Sequence, residues 1–380
     1  MKKFTVLGGG LVGGVIAKDL AAEGHDVLVA DIDTKAVAEK LKGYPGAKVV
    51  KADFANPEDI KKVIEDADVV VGAVPGFLAK AMLETVIKAG KKISDISFMP
   101  ENPLEFDDLV KEYGQTTLVD IGVAPGMSHI LVGYVDSLLD QTNNITIYVG
   151  GLPVIRQWPY EYKAVFSPID VTEEYIRPAR FKEHGKVVEK PALSDIELIN
   201  LPGTDTLEAF FTDGLRTLLY TLDAPEMKEK TLRFPGHAEL MKVFRETGFF
   251  SDDPVLVKGM EVKPRDLVAK LLFPAWKLKE GEKDFTVLRV QVEGIKDGKN
   301  YRYTYDMLDS FDDKRNETSM ARTTGYPCSI MAQLIAEGEF SYTEGVCAPE
   351  YIGKNHQAFK KLMDKLEKKG IVFNATVEEI

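Results

Sequence analysis

The chain has 380 residues, 44% of them hydrophobic and 28% charged, with a net charge of −12 and two cysteines, Cys328 and Cys347. That length allows two well-buried cores, while the acidic balance, with no Lys/Arg cluster to offset it, argues against a nucleic-acid partner. No apolar run is long enough to span a bilayer, and two cysteines make neither a disulfide framework nor a zinc site; two free thiols in a reducing compartment are expected.

In chain order, Phe4–Leu7 reads as a short apolar strand, and Val12–Ala22 as a helix with Val12, Val15, Ile16 and Leu20 on one face. Val27–Ala30 is a second strand, leading into a helix entry at Asp31-Ile32-Asp33-Thr34, and Ala47–Ala52 is a third. Asn56-Pro57 starts a helix, with Asn as cap and Pro at the first position. Val69–Val74 is continuously apolar, as a strand covered on both faces should be; Pro75-Gly76 breaks it, and Phe77–Ala89 is helical. Lys92–Ser97 and Thr116–Ile121 complete six strands, with a helix from Asn102-Pro103 between them. The pattern predicts an α/β fold: two βαβαβ halves forming a doubly wound, Rossmann-type parallel sheet over residues 1–125.

Residues 126–320 read differently. Asn144–Val149 is a strand ending at Gly150-Gly151-Leu152-Pro153, while Phe285–Val292 and Tyr301–Tyr305 alternate around a hairpin turn at Asp297-Gly298. Leu232–Phe249 and Pro264–Leu272 carry helical spacing, so this part is expected to be an α+β domain with a mostly antiparallel sheet. Thr323–Glu337 and His356–Gly370 read as late helices within 321–380.

The opening MKKFTVLGGGLVGG has the basic start and apolar run of a secretion signal, but its glycines are poor helix formers. Removing it would also strip the first strand from the sheet. Gly8-x-Gly10-x-x-Gly13 stands instead where strand meets helix. Gly8 allows the tight turn, Gly10 the approach of a pyrophosphate, and Gly13 close helix–strand packing. The helix start through Leu11 and Val12 offers unpaired N–H groups to phosphates. Asp31, beside Ile32, ends the second strand and would accept hydrogen bonds from the ribose hydroxyls while repelling a 2′-phosphate, which favours NAD over NADP. Further cofactor contacts belong at the carboxyl ends of the other strands: Asp53-Phe54, Ala73-Val74-Pro75-Gly76-Phe77 and Gly122. Asp53 reads equally well as a helix cap. A cytoplasmic protein is expected.

Several stretches resemble the saccharopine dehydrogenase/reductase superfamily, most closely its L-lysine 6-dehydrogenase branch: Gly72–Phe77, Asp95–Pro103, Gly122–Gly126, Tyr148–Pro153, Tyr162-Lys163 through Ser167-Pro168, Thr231–His237 and Met320-Ala321-Arg322. The resemblance implies a substrate-binding and dimerisation domain after the Rossmann domain, and C-terminal helices that return to the latter. It implies a homodimer acting on a small amino acid: NAD-dependent oxidation of the ε-amine of lysine, with loss of ammonia. Such chemistry needs a base for the amine, exclusion of water, and a cation for the α-carboxylate. Arg233, in the matched Thr231-Leu232-Arg233, is assigned to that carboxylate, with Arg322 as a second candidate. His129, Tyr162, Lys163 and Asp95 are the candidates to take the proton or orient the amine; Phe98 and Tyr148 would wall the pocket. His129 and Asp95 are expected to face the cleft, although a helix-face histidine and a capping aspartate are the plainer readings. Relatives acting on saccharopine tend to carry an Asp where this chain has Ala124, which weakens a saccharopine substrate. Reductive joining of an amine and an aldehyde, and a non-catalytic NAD sensor, remain as alternatives.

Overall fold

The computed structural model describes residues 1–164, 168–279 and 281–380, apart from the side chains of 168–170. Two compact units divide the chain: Met1–Leu139 with Ala321–Val372, and Asp140–Met320 with Phe373–Ile380. The division falls after Leu139, so the segment 126–139 belongs with the first unit and not with the second, where the sequence reading put it.

The first unit alternates β1 (Lys3–Leu7), α1 (Leu11–Ala22), β2 (Asp26–Asp31), α2 (Thr34–Lys40), β3 (Ala47–Lys51), α3 (Pro57–Ile64), β4 (Val69–Gly72), α4 (Gly76–Lys88), β5 (Ile93–Asp95), α5 (Asp107–Tyr113), β6 (Thr117–Leu118) and α6 (Met127–Asp136). All six strands are parallel, in the order β3-β2-β1-β4-β5-β6, so the sequence order reverses between β1 and β4. Local chemistry sets the helix starts. Asp33 caps α2 by accepting from the Ala36 N–H at 3.1 Å, and Asn56 caps α3 by accepting from Glu58 N–H at 3.1 Å. Asn102 opens a short 3-10 turn, Pro103–Phe106, ahead of α5. Beyond β6, the Cys347 N–H donates to Thr117 O at 2.8 Å, so a segment from late in the chain pairs with the sheet edge. Both cysteines are buried and free.

The second unit contains β7 (Gln141–Pro153), α7 (Pro168–Ile176), β8 (Ala179–Glu183), β9 (Lys186–Lys190), β10 (Glu197–Ile199), β11 (Leu207–Phe211), α8 (Leu218–Thr221), β12 (Glu226–Arg233), α9 (His237–Glu246), β13 (Val255–Val257), β14 (Met260–Val262), α10 (Pro264–Trp276), β15 (Asp284–Lys296) and β16 (Lys299–Ser310). After α11 (Ser319–Glu337), α12 (Pro349–Lys354) and α13 (His356–Lys368), β17 (Asn374–Glu379) joins the same sheet. The sheet path is β10-β11-β12-β7-β15-β16-β17, with the β8–β9 hairpin attached at β12; β7 and β12 run parallel and the other pairs antiparallel. Asp297 and Gly298 turn the β15–β16 hairpin with φ of 51° and 76°, as a two-residue turn requires. One face of the sheet packs Phe210 against Tyr175, Met241, Leu272 and Trp276 from α7, α9 and α10. The other packs Tyr148, Leu152, Ala209, Leu232 and Val287.

Two elements differ from the sequence reading. Leu232 and Arg233 end strand β12, and the helix starts only at His237, because Pro235-Gly236 interrupts the run and Gly236 turns with φ of 98°. β7 does not stop at Gly150: Gly150 and Gly151 pair with Val287 and Thr286, and the strand runs on to Pro153.

Candidate active site

In the first unit the glycine turn has the geometry of a dinucleotide cradle. Gly8 has φ of 101°, and a Cβ there would lie 2.3 Å from Ala73 O. A Cβ on Gly13 would lie 1.9 Å from Gly8 O, so only glycine lets α1 close onto the turn. Gly10 faces open space, with nothing within 4 Å of a would-be Cβ, and the N-terminus of α1 at Leu11 and Val12 has no side-chain cap. An uncapped helix start beside an open glycine fits a pyrophosphate. Asp31 accepts from Gly9 N–H at 2.7 Å and from Asp33 N–H at 2.9 Å, so backbone donors hold its carboxylate in place at the end of β2. Ile32 beside it is exposed, as is Phe77 at the start of α4.

The other expected cofactor residues divide. Ala73 and Pro75 border the turn and retain exposure, whereas Val74 and Gly76 are buried, the Val74 N–H donating to Ser97 Oγ at 3.1 Å. Asp53 is exposed and closes its own turn, its carboxylate accepting from Ala55 N–H at 2.9 Å; the cap of α3 is Asn56. Phe54 packs into the core beside Ile60 and Val63. Gly122 is buried in a tight turn with Pro125 and Gly126.

In the second unit a polar cluster collects on one face of β12. Strand alternation places Glu229, Thr231 and Arg233 together on that face. The Arg233 guanidinium lies 4.6 Å from the Tyr162 ring centroid, donates through Nη1 to Leu232 O at 2.9 Å, and pairs through Nη2 with Glu174 of α7 at 3.1 Å. Burial opposes its charge, but Tyr175, Tyr162 and Glu174 outweigh that and hold its pKa above the ordinary arginine value. Its Nε has no hydrogen-bond partner among the described residues. Thr231 Oγ1 meets Thr212 Oγ1 at 2.8 Å. Burial lifts the Tyr162 hydroxyl well above the usual phenol range. Tyr175 OH and His237 Nε2 lie 2.9 Å apart, and His237 Nδ1 lies 3.0 Å from Tyr160 O. Burial, reinforced by Arg233, pushes the imidazole down to about 3, so His237 is neutral, donating from Nδ1 and accepting at Nε2.

Glu229 has no matching expectation from sequence. Its side chain is buried against Gly214, where a Cβ would fall 1.6 Å from Oε1. Burial, with Glu174 and Asp213 adding and Arg216 opposing, pushes its carboxyl up to about 8. The signal for it in the sequence is the strand period itself: Glu229 stands two and four residues before Thr231 and Arg233.

Several expected site residues lie elsewhere. Tyr148 pairs in register with Lys230, so it points to the opposite sheet face from Arg233; it donates to Glu197 at 3.1 Å and cannot share a pocket wall with Arg233. Lys163 pairs with Glu282 at 3.2 Å and reaches the carbonyls of Ala275 and Lys277 at the C-terminal end of α10, a structural use of its charge. The matched segment runs on to Ser167, which lies outside the described residues. In the first unit, Asp95 does not face a cleft: it is fully buried, accepting from Ser97 Oγ at 2.7 Å and Ser97 N–H at 3.1 Å. His129 is likewise fully buried on α6, its Nδ1 2.9 Å from Ser128 Oγ. Arg322 donates to Lys369 O at 2.9 Å, at the end of α13. Phe98 is half-buried after β5. Among the described residues no cluster of three or more His, Cys, Asp or Glu is arranged to hold a metal ion, and no helix is long and apolar enough to cross a membrane.

Comparison with known proteins agrees with this fold. The chain is 24% identical to a saccharopine dehydrogenase [NADP(+), L-glutamate-forming] of Schizosaccharomyces pombe, over 98% of each chain. It is 22% identical to a carboxyaminopropylagmatine dehydrogenase of Synechocystis, over 90% of each. The solved apo saccharopine dehydrogenase (L-Glu forming) of Saccharomyces cerevisiae superposes over 100% of both chains with a TM-score of 0.81 at 20% identity. The chain also matches the mitochondrial alpha-aminoadipic semialdehyde synthase of Rattus norvegicus, spanning 47% of that longer protein. Residues 4–118 match the family described as Saccharopine dehydrogenase NADP binding domain, and 122–371 that described as Saccharopine dehydrogenase C-terminal domain. With a pyridine-nucleotide-binding domain followed by this second domain over nearly its whole length, the chain belongs to the saccharopine dehydrogenase family.

Proposed function

We propose that this chain is an NAD-dependent oxidoreductase that removes the ε-amine of L-lysine, giving the 6-semialdehyde, which cyclises, and ammonia. The observation that carries the reading is Arg233: a buried, charged guanidinium with its Nε unpartnered among the described residues, on a polar strand face. Such a fork suits an α-carboxylate, which would take the place of Glu174. Asp31 supports NAD, since a carboxylate fixed by two backbone donors accepts from ribose hydroxyls and repels a 2′-phosphate.

The roles of the side chains follow from their charge states. A positive nitrogen opposes loss of hydride from its neighbouring carbon, so the amine must be neutral when it reacts. The nicotinamide, when bound, supplies the hydride acceptor. Arg233 fixes the carboxylate and Thr231 flanks it on the same face. Tyr162 keeps its proton, so it acts as a wall for the guanidinium and a donor, not as a base. Lys163, held by Glu282 and the end of α10, keeps Tyr162 in place by fixing the neighbouring backbone. Water then adds to the iminium carbon, and ammonia leaves with the aldehyde. His129 and Asp95 support their own helix and turn in this scheme.

A second reading is the joining of an amine to an aldehyde, the type of activity in the names of the relatives. Arg177 and Arg216, which like Arg233 belong to the charged neighbourhood of Glu174, Asp213 and Glu229, favour it, because one carboxylate does not require so many guanidinium groups. The test is NAD and NADP reduction by the purified protein across amino acids and diamines. Turnover with L-lysine and NAD sustains the first reading. Silence there, with NADH oxidation on mixing an amine with an aldehyde, replaces it with the second; cofactor binding without either reaction leaves an NAD sensor. The reading includes a homodimer, supported by the exposed Val255, Leu256, Val257 and Met260 of β13 and β14 and Leu267 and Leu271 of α10. A monomer by light scattering removes it. The two free buried thiols are in keeping with the cytoplasm.

A further inference from the structure

We infer that the Glu229 carboxyl is the receptor for the cationic end of the substrate, so that the β12 face selects a molecule with a carboxylate at one end and an amine at the other. The inference rests on the reading in which Arg233 holds the carboxylate, and it names the partner group that this reading lacks.

Glu229 shares a strand face with Arg233, is buried, and has no hydrogen-bond partner at Oε2 among the described residues. Its carboxyl occupies a notch that exists only because residue 214 is glycine, since a Cβ there would overlap Oε1. The charged groups about it are Glu174 from α7 and Asp213 and Arg216 from the loop after β11; across the sheet its register partner on β7 is the apolar Ile147. A carboxyl buried among two other acids and one arginine resists ionisation until a cation reaches it. An ammonium is such a cation, and this carboxyl's preference for its proton at neutral pH suits it to take one from an amine.

Residues 229 and 233 are four apart on one face of the strand, about 13 Å between their Cα atoms at ~3.3 Å per residue, so the acid and the guanidinium rise from separate points of that face, as two ends of one ligand require. The protons balance. On arrival of R–NH3+, the Glu229 acid releases its proton to solvent and pairs with the ammonium. The carboxylate then takes a proton from the nitrogen, leaving R–NH2 and the acid. The net change is one proton released.

Glu229→Gln retains the size and removes the ionisation. Calorimetric titration of the wild type near pH 7 with NAD present, in buffers of different ionisation enthalpy, should show L-lysine binding at least tenfold tighter than norleucine, which lacks the ε-amine. Lysine binding should release close to one proton. In Glu229→Gln the preference and the proton release should both vanish, while NAD affinity stays unchanged. A glutamine variant that keeps the preference overturns the inference, as does a wild type without it. Should the glutamine protein not fold, Glu229→Asp withdraws the acid by one bond and should weaken lysine without touching norleucine; an unchanged lysine affinity overturns the inference. If the wild type discriminates and releases the proton yet never turns lysine over, the proposed reaction fails and the receptor stands.

Discussion

Replacing Glu229 by glutamine should stabilise the second unit, and by more as the pH rises. The folded carboxyl titrates at about 8, against an ordinary value of 4.5. Its pKa is therefore raised, so its contribution to stability is fully present below the unfolded value and is lost as pH rises through the folded one. Between those values each pH unit costs about 1.4 kcal/mol, because the unfolded chain ionises while the folded one must keep its proton. The penalty is about 3 kcal/mol at pH 7 and levels off near 5 kcal/mol above pH 8. Glutamine is close to the protonated acid in shape and carries no such penalty. Urea unfolding followed by tryptophan fluorescence reads the right part of the molecule, since both tryptophans, Trp158 and Trp276, lie in the second unit and Trp276 is fully buried. The stability difference between variant and wild type should be small at pH 5 and grow by roughly 3–4 kcal/mol by pH 8. A difference that does not change with pH would refute the environment assigned to Glu229.

Three further outcomes test the remaining assignments. Asp31→Asn keeps an oxygen acceptor for only one of the Gly9 and Asp33 N–H groups, which bond different carboxylate oxygens, and removes the charge, so NADP should gain on NAD by about tenfold in affinity; an unchanged ratio by equilibrium titration removes the ribose assignment. Gly13→Ala forces a methyl against Gly8 O, so NAD binding should weaken more than about tenfold with a stability loss of about 1–3 kcal/mol. Fluorescence titration checks it, and an unaltered Kd would mean the turn is not the cradle. Arg233→Lys loses the fork and the stacking on Tyr162, so KM for the amino acid should rise by about tenfold or more while NAD affinity is untouched; a constant KM would show that the carboxylate is held elsewhere.

The parallel sheet of the first unit is legible in the sequence because each of its signals is local: an apolar strand, a glycine turn, a cap, a proline at the first helical position. The second unit is less so, and β12 explains why. Glu229 through Arg233 are all buried, because the strand is covered on both faces, so charged, polar and apolar residues follow one another without marking inside and outside. Read for period alone, its end merges into the following helix. The placement of Tyr148 was hidden for a related reason: its sheet face depends on a parallel pairing between β7 and β12, some eighty residues apart, that nothing local announces. Lys163 looks like a base until its partners are known, and those are carbonyls more than a hundred residues later. Thr231 and Arg233 are marked in the sequence by the resemblance alone, and no motif marks Glu229.

The chain passes between its two units three times, after Leu139, Met320 and Val372. Seen during synthesis, this leaves the first unit, although begun first, unfinished until after the second unit's main segment. When its six strands have left the ribosome, the two-residue edge strand β6 still lacks its neighbour at Cys347, which is made only after the whole of the second unit's main segment. An uncovered strand edge invites pairing with other chains. The nascent protein must therefore keep an incomplete sheet out of trouble for roughly two hundred residues of elongation, on the order of 10–40 s at 5–20 residues per second. The final eight residues then close the second unit in turn, by adding β17 at the edge of its sheet. Each unit therefore waits on a segment made after part of the other, so neither can be finished when its first stretch emerges.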